Sequence, residues 1–352
     1  SEPADSSLVL AGVLLSLVVI YMASKLGGEI CLRVNLPPVL GELVGGVLIG
    51  VSAFRLLLFP ESGAEAADSL LMQLISASTY LTPGQATTVF NVQSEVISVL
   101  SELGVIILLF EIGLESDLQE LIRVGPKAAI VAIVGVVAPF TLGVVGLIAF
   151  FHVPTIPAIF AGAALTATSI GITAKVLSEL NRLNSDEGQI IIGAAVLDDI
   201  LGIIVLAVVA SLVKTGEIQI SKIVYLIISA TVFVVGSIFL GRWLSPYYVN
   251  LVNRMKSRGQ LLLVSLGIAF TLSYVAQVIQ LEAILGSFAA GLIIAETEKR
   301  DELEEQVLPI ADFFVPVFFV CVGAKTDLGV LNPAIPSNRE GLIIAAFLVV
   351  VA

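Results

Sequence analysis

The chain has 352 residues, of which 57% are hydrophobic and 13% charged, and apolar runs of 18 or more recur from end to end. That is the composition of an all-α, polytopic membrane protein. Its net charge of -12, from 17 basic against 29 acidic residues, excludes a nucleic-acid partner, because no basic face is left to neutralise phosphates. The two cysteines, Cys31 and Cys321, sit in or beside apolar segments and give neither a disulfide framework nor metal-ligand spacing, so no cofactor is called for.

Hydropathy predicts spans near 7–25, 37–58, 96–114, 128–152, 156–178, 188–213, 219–244, 260–279, 283–296 and 308–324, then an apolar start at 341–352. Twelve of the 17 basic residues fall at the connections after odd-numbered spans, which places those connections in the cytoplasm and the amino terminus outside. The one long connection, 59–95, lacks Lys and Arg and reads as an outer loop with a short helix resting on the bundle. The acidic run from Glu296 to Glu305 reads as a solvated cytoplasmic linker. Trp243, Tyr247 and Tyr248 read as an aromatic belt, and His152 as an interfacial residue.

Comparison of the chain with itself exposes a repeat. VLGELVGG at 39–46 aligns with ILGSFAAG at 284–291, and IGLESDL at 112–118 with VGAKTDL at 322–328, at offsets of 245 and 210. The difference is about the length of the outer loop, which only the first copy has. The aligned helices are seven spans apart, an odd number, so the second copy runs through the membrane upside down: an inverted-topology repeat. Counterparts of spans five and six would fall beyond Ala352. The expectation is therefore about 10 full spans and a cut eleventh here, within a parent of 13.

The chemistry centres on 188–213, GQIIIGAAVLDDILGIIVLAVVASLV, an apolar helix with Asp198 and Asp199 near its middle. Burying one charge at the bilayer centre costs about 2.5 to 3.5 kcal/mol, so two adjacent carboxylates need protons or metal cations competing for one place. Successive helical residues turn by about 100°, so one aspartate faces the ion while the other faces a neighbour, and their titrations are coupled. Span five supplies Thr166, Thr168, Ser169, Gly171 and Thr173 at similar depth. Hydroxyls, β-branched residues and Gly weaken a helix, so this span is predicted to unwind between Thr166 and Thr173 and to offer oxygen ligands. The competing reading is close packing of small residues, as is common between membrane helices. Glu42 in span two, Glu111 in span three and Glu282 at the start of span nine are candidates for a cation funnel, with the interface the favoured place for Glu282.

These motifs together, with PPVLGELVGGVLIG, LLFEIGLESDL, LGSFAAGLIIAE and PVFFVCVGAKTDL, resemble the second cation:proton antiporter family, and within it the cyanobacterial sodium/proton antiporters. The resemblance implies a homodimer in which scaffold helices hold a mobile core. The corresponding divisions are 1–117 and 259–338 for scaffold, 118–217 for the first half of the core, 218–258 for a linker helix and 339–352 for the start of the second half. It implies Asp199 as the main ligand of the transported Na+ and of the proton; Thr168 of the unwound stretch is the second Na+ ligand expected from the reading of span five. Asp198 would pair with a lysine of the span beginning at Gly341, beyond Ala352. The implied activity is exchange of Na+ or Li+ for H+, without a cofactor, in a prokaryotic plasma membrane or a cyanobacterial thylakoid, serving pH and sodium homeostasis. Two carboxylates point toward more than one proton per cation. Potassium/proton exchange on the same fold is the alternative. An intramembrane aspartyl protease also needs two buried aspartates, but on different helices and with a Gly-x-Gly-Asp sequence, neither of which is present.

Overall fold

The computed structural model describes residues 6–79, 81–215, 219–332 and 338–352; the expected core–linker boundary at 217 lies outside them. Among these residues the chain is helical, with three short 3-10 turns and no strand. In order, the helices are α1 (Ser6–Arg33), α2 (Pro38–Ile49), α3 (Leu70–Thr79), α4 (Pro83–Glu115), α5 (Leu118–Phe151), α6 (Thr155–Leu165) and α7 (Ile170–Glu179). They continue as α8 (Asp186–Thr215), α9 (Ile220–Arg254), α10 (Gln260–Val278), α11 (Ala283–Ala295), α12 (Arg300–Lys325) and α13 (Asn338–Val351). Eight elements are long and apolar enough to cross a bilayer, α6 and α7 counting as one broken span.

Predicted span two is shorter than hydropathy suggested, whereas span nine, short already in the sequence at 283–296, is found at Ala283–Ala295. The helix α2 has 12 residues and α11 has 13, roughly 18 and 20 Å against a hydrocarbon core of about 30 Å. After Gly50 the chain doubles back on the end of α2: Phe54, Leu56 and Leu57 donate their N–H groups to Leu48 and Ile49 carbonyls, with Arg55 left-handed at a φ of 52°. Leu57, Leu58 and Phe59 are buried in this turn, so their apolar character extended the predicted span without extending the helix. Conversely, α4 begins at Pro83 rather than near 96, because its polar first turns pack Val89 and Phe90 against Met72 and Ile75 of α3.

The chain divides into two compact units, Ser1–Leu108 with Pro309–Asn332, and Leu109–Leu308 with Pro333–Ala352. Within the first, Gly41 of α2 meets the Gly27 carbonyl of α1, and Gly46 meets the Val320 carbonyl and the Gly323 Cα of α12. Within the second, Gly286 of α11 meets the Leu272 carbonyl of α10, and Gly291 meets the Phe110 carbonyl and the Gly113 Cα of α4. Adding 245 to Gly27, Gly41 and Gly46 gives Leu272, Gly286 and Gly291; adding 210 to Phe110 and Gly113 gives Val320 and Gly323. The same backbone contacts are therefore made twice, once by each copy of the repeat. They also extend the repeat by one helix, pairing α1 with α10. Contacts this close tolerate only glycine, which is why the motif survives as a pattern of glycines.

Candidate functional site

The site lies within the second unit. Thr155–Glu179 is long and apolar enough to span, yet it breaks over Thr166–Ser169 into α6 and α7. The sequence supplies caps for both broken ends. Thr166, fully buried, donates its hydroxyl to the Ala163 carbonyl at 2.8 Å, occupying an acceptor at the end of α6. Ser169 is the N-cap of α7, its hydroxyl accepting from the Ile172 N–H at 3.4 Å. Gly171 and Thr173 are already helical, and the Thr173 N–H bonds the Ser169 carbonyl. Of the four hydroxyl residues predicted from sequence, Thr168 is the one in the break itself that neither caps a helix end nor belongs to one.

Thr168 faces Asp198. Both its hydroxyl and its backbone N–H hydrogen-bond the Asp198 carboxylate, which is buried. The neighbouring helix α8 is held by small residues: Gly193 packs on Ala128 of α5, and Ala194 joins Ala128 and Ala132 in one apolar cluster. One turn on, Val196 and Ile200 pack with Phe233 of α9 and with Leu281 and Leu285 beside and within α11. Asp199, three residues from Val196 and next to Ile200, shares that face.

The two carboxylates thus have different surroundings. Asp198 is engaged by the broken helix, whereas Asp199 Oδ2 is buried without a hydrogen-bond partner among the described residues. The adjacent Asp198 adds a second carboxylate beside it and no positive charge. An uncompensated carboxylate oxygen in a buried site is costly, and the chemistry it suits is reversible capture of a proton or a small cation. No cluster of three or more His, Cys, Asp or Glu capable of holding a resident metal occurs among the described residues.

Glu111 is buried in α4 of the same unit, and Glu42 is in the first unit, accepting a 2.8 Å hydrogen bond from Ser24 of α1. Tyr248 is not a belt residue: it is buried and bonds Ser265 at 2.8 Å, while Trp243 and Tyr247 are exposed.

The family model described as sodium/hydrogen exchanger, transmembrane, matches residues 12–352. A high-affinity Na(+)/H(+) antiporter, NhaS3, of Synechocystis sp. is 78% identical over the whole of this chain and 76% of its own length. A Na(+)/H(+)-K(+) antiporter, GerN, of Bacillus cereus is 32% identical over 87% of this chain and 70% of its own. The solved structure of the sodium proton antiporter MjNhaP1 from Methanocaldococcus jannaschii aligns over 96% of this chain and 76% of that one, with a TM-score of 0.58 at 17% identity, a likeness of fold.

Proposed function

The chain belongs to the sodium/hydrogen exchanger family, and from that premise we propose that Asp199 is the shared ligand through which it exchanges Na+ or Li+ for H+ by alternating access. It is a multi-span membrane transporter and not an enzyme, which sets the protease alternative aside. The observation that carries the assignment is the buried, unpartnered Asp199 Oδ2 next to a broken helix.

The mechanism follows from the cost of that oxygen. With a proton or a cation on it, the site is close to neutral and can change the side to which it opens; empty, it carries an uncompensated charge through a medium of low dielectric. Since both occupants need the same oxygen, loading one requires loss of the other, and the two fluxes are coupled. Asp198, bonded to Thr168, holds the break against α8. Hydroxyls and free carbonyls of the Thr166–Thr173 region then complete the shell of a partly dehydrated cation.

In the same reading the protein is a homodimer, with 1–117 and 259–338 as scaffold, 118–217 and 339–352 as core and 218–258 as linker. Glu42 and Glu111 line the cation path. The amino terminus faces the periplasm or lumen, in a plasma or thylakoid membrane. Exchange of K+ is the second reading, favoured by one relative whose name includes that ion.

The test is exchange in proteoliposomes with an acidic interior. Addition of Na+ to the wild type collapses the pH gradient, and Asp199→Asn abolishes the response. A wild type that answers K+ and not Na+ would mean that the cation is wrong; a mutant as active as wild type would mean that the ligand is.

A further inference from the structure

We infer that Glu115 is a positioning residue: its carboxylate latches the far end of α7, the second half of the broken helix, and each exchange cycle breaks and remakes that latch. The inference rests on the alternating access proposed above and adds to it the bond that holds the site shut toward one side.

The post of the latch is the end of α4. A carboxylate in the last turn of a helix opposes the helix dipole, so Glu115 stands where a basic residue is favoured. The repeat shows the favoured choice: adding 210 to 115 gives Lys325, in the last turn of α12. Glu115 is nonetheless firmly based. Arg300 donates to its backbone carbonyl at 2.8 Å, the buried Ser116 places its hydroxyl on the Ile112 carbonyl, and Asp117 caps α5 through the Gln119 and Glu120 N–H groups. From this base the Glu115 carboxylate accepts a hydrogen bond of 3.0 Å from Ser178 of α7.

Ser178 lies in the last turn of α7, and the non-helical residues 166–169 at the other end supply a hinge. From Ile170 to Ser178 the helix rises about 12 Å, so a swing of about 15° at the break carries Ser178 roughly 3 Å, enough to part a hydrogen bond. Conversely, a held Ser178 fixes the direction in which α7 leaves the break, and with it the placing of Thr168 on Asp198. A bond to a carboxylate is about twice as strong as one between neutral groups, which weights one of two states without forbidding the other. Both Glu115 and Ser178 are half-buried, so water replaces the bond when α7 swings away. In the proposed orientation the end of α7 is cytoplasmic, and the latch closes the site toward that side.

The experiment combines Glu115→Cys with Ser178→Cys in the full-length protein, in oriented proteoliposomes treated with a short bis-thiosulfonate; the native Cys31 and Cys321 are both buried. The pair is expected to cross-link and to stop exchanging Na+ for H+ until a reducing agent cleaves the bridge. Either substitution alone exchanges equally well before and after the reagent. Ser178→Ala, which removes the donor, is expected to lower the KM for Na+ offered from the cytoplasmic face about three- to tenfold, because the state open to that face gains population. A pair that fails to cross-link, or that exchanges while cross-linked, overturns the inference. So does a Ser178→Ala variant whose KM is unchanged or raised, which would mark the bond as structural. A wild type that exchanges no Na+ for H+ would instead defeat the function on which the inference stands.

Discussion

At the scale of residues, the break in the fifth span works because its hydroxyls divide the labour. Thr166 and Ser169 satisfy backbone groups that the interruption leaves open, at the end of α6 and the start of α7. Thr168 is left to hold Asp198 through both hydroxyl and N–H. Removing the hydroxyl alone should loosen Asp198 without freeing it, since the backbone bond remains. Thr168→Val is therefore expected to lower kcat/KM for Na+ about three- to tenfold, in keeping with roughly 1 kcal/mol for one such bond, while Thr168→Ser stays near wild type. Exchange rates in proteoliposomes decide it: loss in Thr168→Ser with Thr168→Val unimpaired would mean that the methyl group, not the hydroxyl, matters. The residue types of this site were legible in the sequence, because few physical roles suit two aspartates or a Thr-Ala-Thr-Ser run in the middle of an apolar span. Their division was not. A hydroxyl at position 166 reads the same as one at 168 until the ends of the two half-helices are known.

At the scale of elements, the glycine contacts explain why two short sequence matches sufficed to reveal a repeat. Gly46 and Gly291 each press against a carbonyl and a glycine of the long helix beside them, so a side chain at either position must push backbone apart. Gly267 of α10 has nothing within 4 Å of where a Cβ would stand. Gly46→Val and Gly291→Val are each expected to cost about 1 to 3 kcal/mol through overpacking and to lower the Tm in detergent by similar amounts. Gly267→Ala should be neutral or stabilise by up to about 1 kcal/mol. Thermal melts of the three variants test this, and a tolerated Gly291→Val beside an intolerant Gly46→Val would break the equivalence of the copies. Helix lengths were harder to read than the repeat. Buried Leu57, Leu58 and Phe59 lie in a turn yet carry the hydropathy of a span, so span two was read too long, whereas the equally short α11 was read to within one residue.

At the scale of the whole molecule, orientation is written in charge. In the orientation proposed above, with twelve of 17 basic residues at the connections after odd-numbered spans, the connection between α5 and α6 is expected outside and that between α7 and α8 inside. The broken element between them, Thr155–Glu179, has 25 residues, enough to cross even with four of them extended rather than helical. Thr155, its first residue, and Asn184, beyond its end, are exposed, while the native Cys31 and Cys321 are both buried and give little background labelling. In intact cells, an impermeant maleimide should modify Thr155→Cys and reach Asn184→Cys only after the membrane is opened. The reverse order would invert the whole protein and with it the side from which protons drive exchange. Labelling of both from one side would make α6 and α7 a re-entrant hairpin; the break would then sit at its tip, open to a single compartment, and a site that must face each compartment in turn could not be built on it.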